Sequence, residues 1–504
     1  MESENKQTQS LEALQNFINT SLETKLWQAC ETNLETKILN LYRNIINNVP
    51  AYGAFLAENN INPESIKTLQ DFQSLPLLTK KNYIHKYPLP DLCRQGTLES
   101  CDFIAVSSGS TGNPTFWTRF IKDEYEIATR FEQIFCHSFN ANQKRTLAVV
   151  CFTLGTWVGG IYTANCCRHL ATKGYPITVI TPGNNKLEIF RVIRELAPLF
   201  EQTVLLGYPP FLKNVIDNGI AEGIEWQEFN IKLVMAGEVF SEEWRSLVGE
   251  RLGSNNPCYD SASLYGTADA GVLGNETPLS ICIRRFFSQN PDATQEFFGE
   301  SRLPTLVQYD PTSRYFEVDN GTLLFSGDNG IPLLRYHIAD TGGIVSYEAM
   351  LQYLATKNFD PIAELTASNI SSNINIYPLP FAYVFGRVNF VLSYYGANIY
   401  PENIQVGVEQ PEVKDLVTGK FIMEIKQDED SNSILTIAVE LAPNIVTSDR
   451  LKKTITTSIT TQLLRLNSEY RNYFAEEYKA PRITLYTFGD TEYFPIGVKH
   501  RYTR

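Results

Sequence analysis

The sequence predicts an α/β protein with a large N-terminal domain of βαβ sheet layers and a small, mobile C-terminal α+β domain. From Leu147 to Gly253, short apolar strands alternate with amphipathic helices, which is typical of right-handed βαβ units and a largely parallel sheet. After about residue 385 the pattern becomes a hairpin, a helix and a strand. The length of 504 residues also favours two or three domains.

The predicted elements follow the chain in order. Residues 1–60 read as a helical lead-in to a large domain over 1–385, and a helical pattern with Ile127 and Phe131 precedes the first long strand. Residues 386–504 form the small domain, in which "KFIMEIKQDEDSNSILTIAVEL" predicts a hairpin with an acidic turn. A helix from about Asp449 and a strand at "RITLYT" complete it.

Composition restricts the class of partner and the compartment. A net charge of −13 argues against nucleic acid or an anionic membrane as the main partner. Nine cysteines without a CxxC pair, and a start unlike a secretory leader, indicate a cytoplasmic setting and disfavour a thiolate metal site. The uncharged run from Leu147 to Cys167 has the length of a membrane span, but its strand-like start and its glycines favour a buried strand, a turn and a helix.

The stretch "VSSGSTGNPTFWTR" (Val106 to Arg119) is too rich in glycine and hydroxyl groups for the middle of a helix or strand. It suits either a surface turn or a phosphate cradle, in which backbone N–H groups and hydroxyls converge on an anion. No lysine follows the second glycine as it does in GxxxxGK[ST], which disfavours an ordinary NTPase.

Two further segments carry candidate polar groups. In "LYGTADAG", Thr267 and Asp269 could serve a phosphate and its Mg²⁺, or could simply cap a strand-to-helix turn. In "LLRYHIADTGG", Arg335 and Asp340 could hold phosphate and ribose hydroxyls, or could form a buried ion pair.

The last two segments lie near the predicted domain junction and the end of the sequence. "FGRVNFVLSYYGANIYPENI" contains Arg387 and Asn389 at the junction, where a plain linker is the alternative. "FPIGVKHRYTR" is a basic tail with Lys499, and such a tail is ordinarily a solvated chain end.

In this order and spacing, the five segments and "AGE" at Ala236 to Glu238 resemble the adenylate-forming superfamily of acyl-CoA synthetases and nonribosomal peptide adenylation domains, most closely its phenylacetate–CoA ligase branch. The match spans Asp102 to Arg501. The resemblance implies a hinge at Asn389, catalytic roles for Lys499, Asp269 and Thr267, and Mg²⁺ held near Asp269 through ATP. The ATP- and AMP-binding residues that it implies are Ser107, Ser108, Gly109, Ser110, Thr111, Gly112, Gly237, Glu238, Tyr265, Gly266, Asp340 and Arg387.

The activity implied is ATP-dependent conversion of a carboxylic acid to an acyl adenylate, followed by acyl transfer to the thiol of CoA. A carrier-protein phosphopantetheine or an amine are alternative acceptors, and a non-catalytic nucleotide- or acyl-binding protein is the alternative class. The sequence departs from the family with Asp269 in place of Glu, and with Asn389 in place of Asp or Lys. The cysteine-bearing zinc segment of some relatives also has no counterpart here.

Four residues suggest which acid is activated. Trp157, Gly159, Tyr162 and Tyr208 lie in loops after predicted strands, where aromatic walls and glycine space suit a flat aromatic or arylacetic acid. Ordinary core packing of the same aromatic residues is the alternative. A monomer and a homodimer are both compatible with the sequence.

Overall fold

The structure is a computed structural model. It describes residues 2–99, 101–107, 115–156, 158–300, 302–368, 376–387, 392–394, 397–427, 433–467, 470–471, 479–495, 500 and 502–503.

The chain begins with a group of helices, as the sequence predicts. Their boundaries follow local signals: Ser21 accepts a hydrogen bond from the Thr24 amide at the start of the second helix, and Pro50 occupies the first turn of the fourth. The third helix buries Ile38, Tyr42 and Ile45 on one face. The helices are α1 (Glu2–Asn19), α2 (Leu22–Glu31), α3 (Leu34–Asn48), α4 (Pro50–Glu58) and α5 (Leu69–Gln73).

Strands and helices then alternate up to Arg387. A single turn of π-helix (Lys80–Ile84) precedes them. The elements are β1 (Phe103–Val106), β2 (Phe116–Arg119), α6 (Ile121–Gln133), β3 (Thr146–Val150), α7 (Ile161–Thr172), β4 (Ile177–Ile180), α8 (Lys186–Leu196), β5 (Gln202–Gly207), α9 (Pro209–Ala221), β6 (Ile231–Ala236), α10 (Glu242–Leu252), α11 (Pro257–Asp260), β7 (Ser261–Thr267), β8 (Gly271–Asn275), α12 (Pro278–Gln289), α13 (Pro291–Phe298), β9 (Thr305–Gln308), β10 (Arg314–Asp319), β11 (Thr322–Gly327), β12 (Leu333–Val345), α14 (Tyr347–Thr356), α15 (Pro361–Ala367) and β13 (Phe381–Arg387).

An eleven-stranded sheet organises this part of the molecule, in the order β10-β11-β12-β13-β9-β8-β7-β6-β5-β3-β4. The strands from β7 to β4 pair in parallel, whereas β8 and the five strands beyond it pair antiparallel. The prediction of a largely parallel sheet is therefore wrong for this second half. The residues 268–270 between β7 and β8 form a tight turn, which leaves no room for the crossover helix that parallel pairing needs.

The parallel half lies between two helical layers. Along β3, Ala148 and Val150 pack with α6 and α7 on one face, while Leu147 and Val149 pack with α8, α9 and α10 on the other. All five residues of β3 are buried, which explains its continuous apolar sequence. The loops after β5 and β6 therefore leave the same carboxyl edge of the sheet, where ligands bind in open α/β folds.

The strands after Leu392 form sheets of their own. The elements are β14 (Leu392–Tyr394), β15 (Ala397–Ile399), α16 (Pro401–Val408), β16 (Val417–Gln427), β17 (Ser433–Leu441), α17 (Asp449–Leu466) and β18 (Arg482–Tyr486). A three-stranded sheet, β16-β17-β18, packs Phe421 and Val439 against Ile455 and Ile459 of α17. The predicted hairpin, helix and strand are therefore present. A domain boundary at residues 385–386 and mobility of the second part remain predictions.

The uncharged run from Leu147 to Cys167 forms β3, the following turn and the first half of α7, as predicted. Among the described helices, none combines the length and the apolarity that a membrane crossing requires.

Candidate active site

Two hydrogen bonds join the two ends of the glycine loop. The amide of Ser107 donates to the carbonyl of Thr115, and the amide of Thr115 donates to the Ser107 hydroxyl oxygen, both at 3.0 Å. Antiparallel pairing of β1 with β2 ends at Val106 and Phe116, so the loop leaves and returns at one point. Ser108, Gly109, Ser110, Thr111 and Gly112 lie outside the described residues, and their function as an anion cradle stays a prediction.

The "YGTAD" segment forms the end of β7 and the turn into β8. Thr267 accepts a hydrogen bond from the amide of Ala270 at 3.1 Å, so it does cap the turn. The turn leads into a strand, however, and the expected strand-to-helix alternative is wrong because β8 folds directly back on β7. Gly266 is required by this close approach, since a Cβ there would lie 2.6 Å from the carbonyl oxygen of Gly271.

The carboxylate of Asp269 is buried and has two partners. Tyr336 donates its hydroxyl to Oδ2 at 2.6 Å, and the ammonium of Lys80 lies 3.3 Å from Oδ1. The same ammonium lies 5.9 Å from the ring centroid of Trp117 on β2. Lys80 was not identified from the sequence, because the contact joins residues far apart in the chain and Lys81 beside it offers the same chemistry.

Three buried side chains hold the backbone of this turn. Arg119 donates to the carbonyl of Ala268 at 2.5 Å, Asn329 donates to that of Asp269 at 3.4 Å, and Arg314 donates to that of Ala270 at 3.5 Å. Arg314 is itself paired with the buried Asp123 at 2.7 Å. Three consecutive carbonyls thus accept hydrogen bonds from β2, from β10 and from the loop between β11 and β12, which together hold the turn that carries Asp269.

A second pair of groups lies on the neighbouring strands. The hydroxyl of Tyr265 donates to Oδ2 of the buried Asp340 at 2.7 Å. Asp340 pairs through the backbone with Arg387, the last residue of β13. Arg335, by contrast, forms an ion pair with Glu317 at 3.1 Å. The alternative of a buried pair therefore applies to Arg335, although its partner is Glu317 and not Asp340.

The loops after β5 and β6 bring Tyr208 next to Gly237. Gly237 has a φ of +86°, and a Cβ there would lie 2.6 Å from the Tyr208 ring. Tyr208 packs on its other side against Phe152, with ring centroids 4.9 Å apart, and Gly159 faces its hydroxyl. Burial raises the pKa of Tyr208, which therefore stays neutral. The structure thus places Gly159, Tyr208 and Gly237 on one wall.

The remaining predicted pocket residues do not define a binding surface. Tyr162 is 3% exposed and belongs to the core between the sheet, α6 and α7, which is the alternative expected for such an aromatic residue. Its hydroxyl has no hydrogen-bond partner among the described residues. Trp157, the hinge residue Asn389 and the tail residue Lys499 lie outside the described part of the chain, so their functions stay predictions.

Two known proteins are similar to this chain over most of its length. No protein-family model matches the chain. Phenylacetate-coenzyme A ligase of Thermus thermophilus is 23% identical over 418 residues, covering 82% of this chain and 87% of that protein. The crystal structure of 2-hydroxyisobutyryl-CoA ligase in the postadenylation state, in complex with R3-HIB-AMP, has a TM-score of 0.65 at 13% identity and covers 94% of this chain and 88% of that chain.

A second crystal structure of that ligase, in complex with 2-HIB-AMP and CoA in the thioesterification state, covers the same shares at 14% identity with a TM-score of 0.51. The structural likeness confirms the predicted α/β fold, and the sequence likeness confirms the resemblance to a phenylacetate–CoA ligase.

Proposed function

We propose that this protein is an ATP-dependent acid–thiol ligase. It converts a carboxylic acid and ATP to an acyl adenylate and pyrophosphate, and then transfers the acyl group to the thiol of CoA. The observation that carries the proposal is the position of two buried carboxylates, Asp269 and Asp340, at one edge of the sheet. Asp269 lies beside the Lys80 ammonium, which suits the phosphates of a nucleoside triphosphate. Asp340 accepts a hydrogen bond from the Tyr265 phenol, which suits the nucleoside.

The triphosphate end is assigned to Asp269, Lys80 and the glycine loop. The Asp269 carboxylate already faces a positive charge at 3.3 Å, so the residue fits a Mg²⁺ ion that arrives with ATP. The ion, when bound, neutralises charge on the phosphates. Lys80 supplies a second point charge beside them, and the loop from Ser107 to Thr115 supplies hydroxyls and backbone donors.

The nucleoside end is assigned to Asp340, Tyr265 and Gly237. The Tyr265 hydroxyl donates to Oδ2 of Asp340 and so orients the carboxylate that is assigned to the ribose hydroxyls. At Gly237 the backbone approaches the Tyr208 ring too closely for any side chain, so a flat purine finds a smooth surface there. Arg387, which pairs with Asp340 through the backbone, is assigned to the same end.

The chemistry follows from charge. An oxygen of the substrate carboxylate attacks the α-phosphorus, the bond to the bridging oxygen of the β-phosphate breaks, and pyrophosphate leaves. Both reactants are anionic, so catalysis requires positive charge and donors where negative charge develops. Lys499 is assigned to bridge the carboxylate and the α-phosphate, and Thr267 to contact the α-phosphate. In the second step the thiol sulfur attacks the acyl carbonyl and AMP leaves with the bonding electrons.

The acid is proposed to be aromatic or arylacetic. Phe152 and Tyr208 form an aromatic corner, and Gly159 lies against both rings, where a Cβ would be 3.5 Å from Phe152 and from the Tyr208 hydroxyl. CoA is the proposed acceptor because the two similar proteins are both CoA ligases by name.

The test is pyrophosphate release with Mg-ATP over a panel of aromatic, arylacetic, branched and medium-chain acids. We expect release to depend on the acid and on Mg²⁺, and CoA to be consumed as a thioester detected by mass spectrometry. Lys499→Ala should lose release by about 10²–10³-fold. Lys453→Ala, which removes an exposed lysine of α17, is the matched control and should keep it.

ATP binding in a calorimeter without turnover on any acid would contradict the proposal and favour a nucleotide-binding protein on the same fold. Pyrophosphate release without a CoA thioester would contradict only the acceptor, and would point to a carrier protein or an amine.

A further inference from the structure

At Tyr502 the C-terminal tail contacts both the large part of the molecule (described residues up to 387) and the small part (described residues from 392 onwards). The backbone of the tail belongs to the small sheet: the amide of Met423 on β16 donates to the carbonyl of Tyr502 at 2.7 Å, and Thr503 pairs with Met423. The His500 side chain also contacts this sheet, since its Nε2 lies 2.7 Å from the carbonyl oxygen of Phe421.

The side chain of Tyr502 points the other way, into the large part. Its ring packs against His500 and Phe421, with centroids 4.7 and 5.2 Å away, and its hydroxyl donates to Oε2 of Glu238 at 2.7 Å. Glu238 directly follows Gly237, the residue assigned above to the purine surface. Within the described part of the tail, this is the hydrogen bond that crosses from one part to the other.

The hydroxyl is suited to be a permanent donor. Burial, together with the carboxylates of Glu238, Glu402 and Glu409, raises the pKa of Tyr502 well above its ordinary value. The phenol therefore keeps its proton throughout the range in which an enzyme works. A hydrogen bond to an ionised acceptor is also stronger than one between neutral groups.

We propose that Tyr502 is a positioning residue: its hydrogen bond to Glu238 seats the tail, and with it Lys499, against the nucleotide end of the site. The inference rests on the proposed function. Lys499 lies three positions before Tyr502, and a fully extended chain over three steps reaches about 11 Å at most. On this proposal, a tail fixed at Glu238 keeps Lys499 within that distance of Tyr502 and so beside the segment that contains Gly237.

The assignment is specific to one half-reaction. Other contacts also join the two parts, among them Ser241 with Glu409 and Arg251 with Asp415. Loss of the Tyr502 hydroxyl should therefore leave the parts in contact and affect the seating of the tail. Acyl transfer, which does not use Lys499, should be insensitive to it.

The experiment measures the two half-reactions separately in Tyr502→Phe. We expect the first-turnover rate of pyrophosphate release to fall about tenfold, and thioester formation from synthetic acyl adenylate and CoA to stay within about twofold of the unmodified protein. Tyr470→Phe is the matched control, because its buried hydroxyl donates at 3.1 Å to the carbonyl of Lys479 inside the small part. Both rates should be unchanged in this control.

Hydrogen–deuterium exchange gives a readout that does not need activity. Peptides covering residues 236–241 and 500–504 should exchange faster in Tyr502→Phe and not in Tyr470→Phe. Adding Glu238→Gln to Tyr502→Phe should slow pyrophosphate release no further than the slower of the two single variants, since the first weakens and the second removes the same interaction.

Equal slowing of both half-reactions would mean that Tyr502 has only a structural effect, and unchanged rates with unchanged exchange would also overturn the inference. If the unmodified protein releases no pyrophosphate with any acid, the proposed function fails, and the exchange comparison alone then decides whether Tyr502 seats the tail on Glu238.

Discussion

Asp269 is a buried carboxylate that forms an ion pair with Lys80. Removing that cation leaves the carboxylate, among the described residues, with its hydrogen bond from the Tyr336 hydroxyl, and it also removes positive charge from the assigned triphosphate end. We therefore expect Lys80→Ala to lower pyrophosphate release by about 10²–10³-fold, measured at saturating acid with ATP varied.

Lys81→Ala is the matched control for Lys80, because the neighbouring side chain is exposed. Equal activity in the two variants would remove Lys80 from the site. A loss of activity accompanied by an equal loss in thermal stability would assign it to folding alone.

Some residues of the proposed site could be identified from the sequence and others could not. Asp269, Asp340 and Tyr265 were identifiable because each lies in a segment whose composition is unusual for a strand or a turn. Lys80 and Tyr502 lie in segments without such a signal, and each acts on a residue more than a hundred positions away. Only the tertiary contact distinguishes Lys80 from Lys81.

At the scale of elements, the turn between β7 and β8 is held by buried donors from three directions. Arg119 is 1% exposed and donates to the carbonyl of Ala268. Methionine at this position would preserve length but leave that carbonyl without its charged donor. We expect Arg119→Met to lower the free energy of unfolding by about 1.5–3 kcal/mol, and to slow pyrophosphate release.

Chemical denaturation followed by tryptophan fluorescence measures this effect. Arg145→Met, at an exposed arginine, is the control and should change the free energy of unfolding by less than about 0.5 kcal/mol. If Arg119→Met is as stable and as active as the control, the hydrogen bond from Arg119 to Ala268 does not stabilise the turn.

The C-cap residue of helix α16, Glu409, forms a titratable contact with the large part. Glu409 is hydrogen-bonded by Ser241 and Gln405, faces Glu243 and Lys213, and has its pKa raised to about 7 by burial. When the contact is open the carboxylate is solvated, and its pKa returns to about 4.3. The closed state therefore binds the extra proton. Its stabilisation is fully present below about pH 4.3 and is lost as pH rises through 7.

We accordingly expect the radius of gyration from small-angle X-ray scattering to increase between pH 6 and about pH 8. Glu409→Gln, which stays neutral, should remove most of this dependence. An unchanged profile in the variant would show that another group, or none, controls the contact.

The strands and helices predicted from the sequence are confirmed where the strands are buried on both faces. Strands β3, β5 and β6 are enclosed by helices on both faces and so appear as mainly apolar segments, and the helices between them are amphipathic. From β8 onwards the strands pair antiparallel and some of their connections contain helices while others do not, so local patterns do not reveal in which order they enter the sheet. That half of the architecture was accessible only from the structure.

At the scale of the whole molecule, two separate sheets meet over a surface that includes Ser241, Glu402, Glu409 and Tyr502. Arg302 of the large part lies at this surface, with its guanidinium 3.6 Å from the centroid of the Tyr400 ring and 3.8 Å from the Glu402 carboxylate. These polar contacts resemble those of a transient interface more than a common core. We infer that the proposed second half-reaction uses a different arrangement of the same two parts.

We propose that one site activates an acid and then releases it to a thiol. Single-turnover quench experiments with an active acid test this proposal: enzyme, Mg-ATP and acid are mixed without CoA, and CoA is added afterwards. We expect one equivalent of acyl adenylate and of pyrophosphate per site, then conversion of the adenylate to thioester and AMP. Formation of ADP and phosphate in place of AMP and pyrophosphate, or a thioester that appears without prior acyl adenylate, would contradict it.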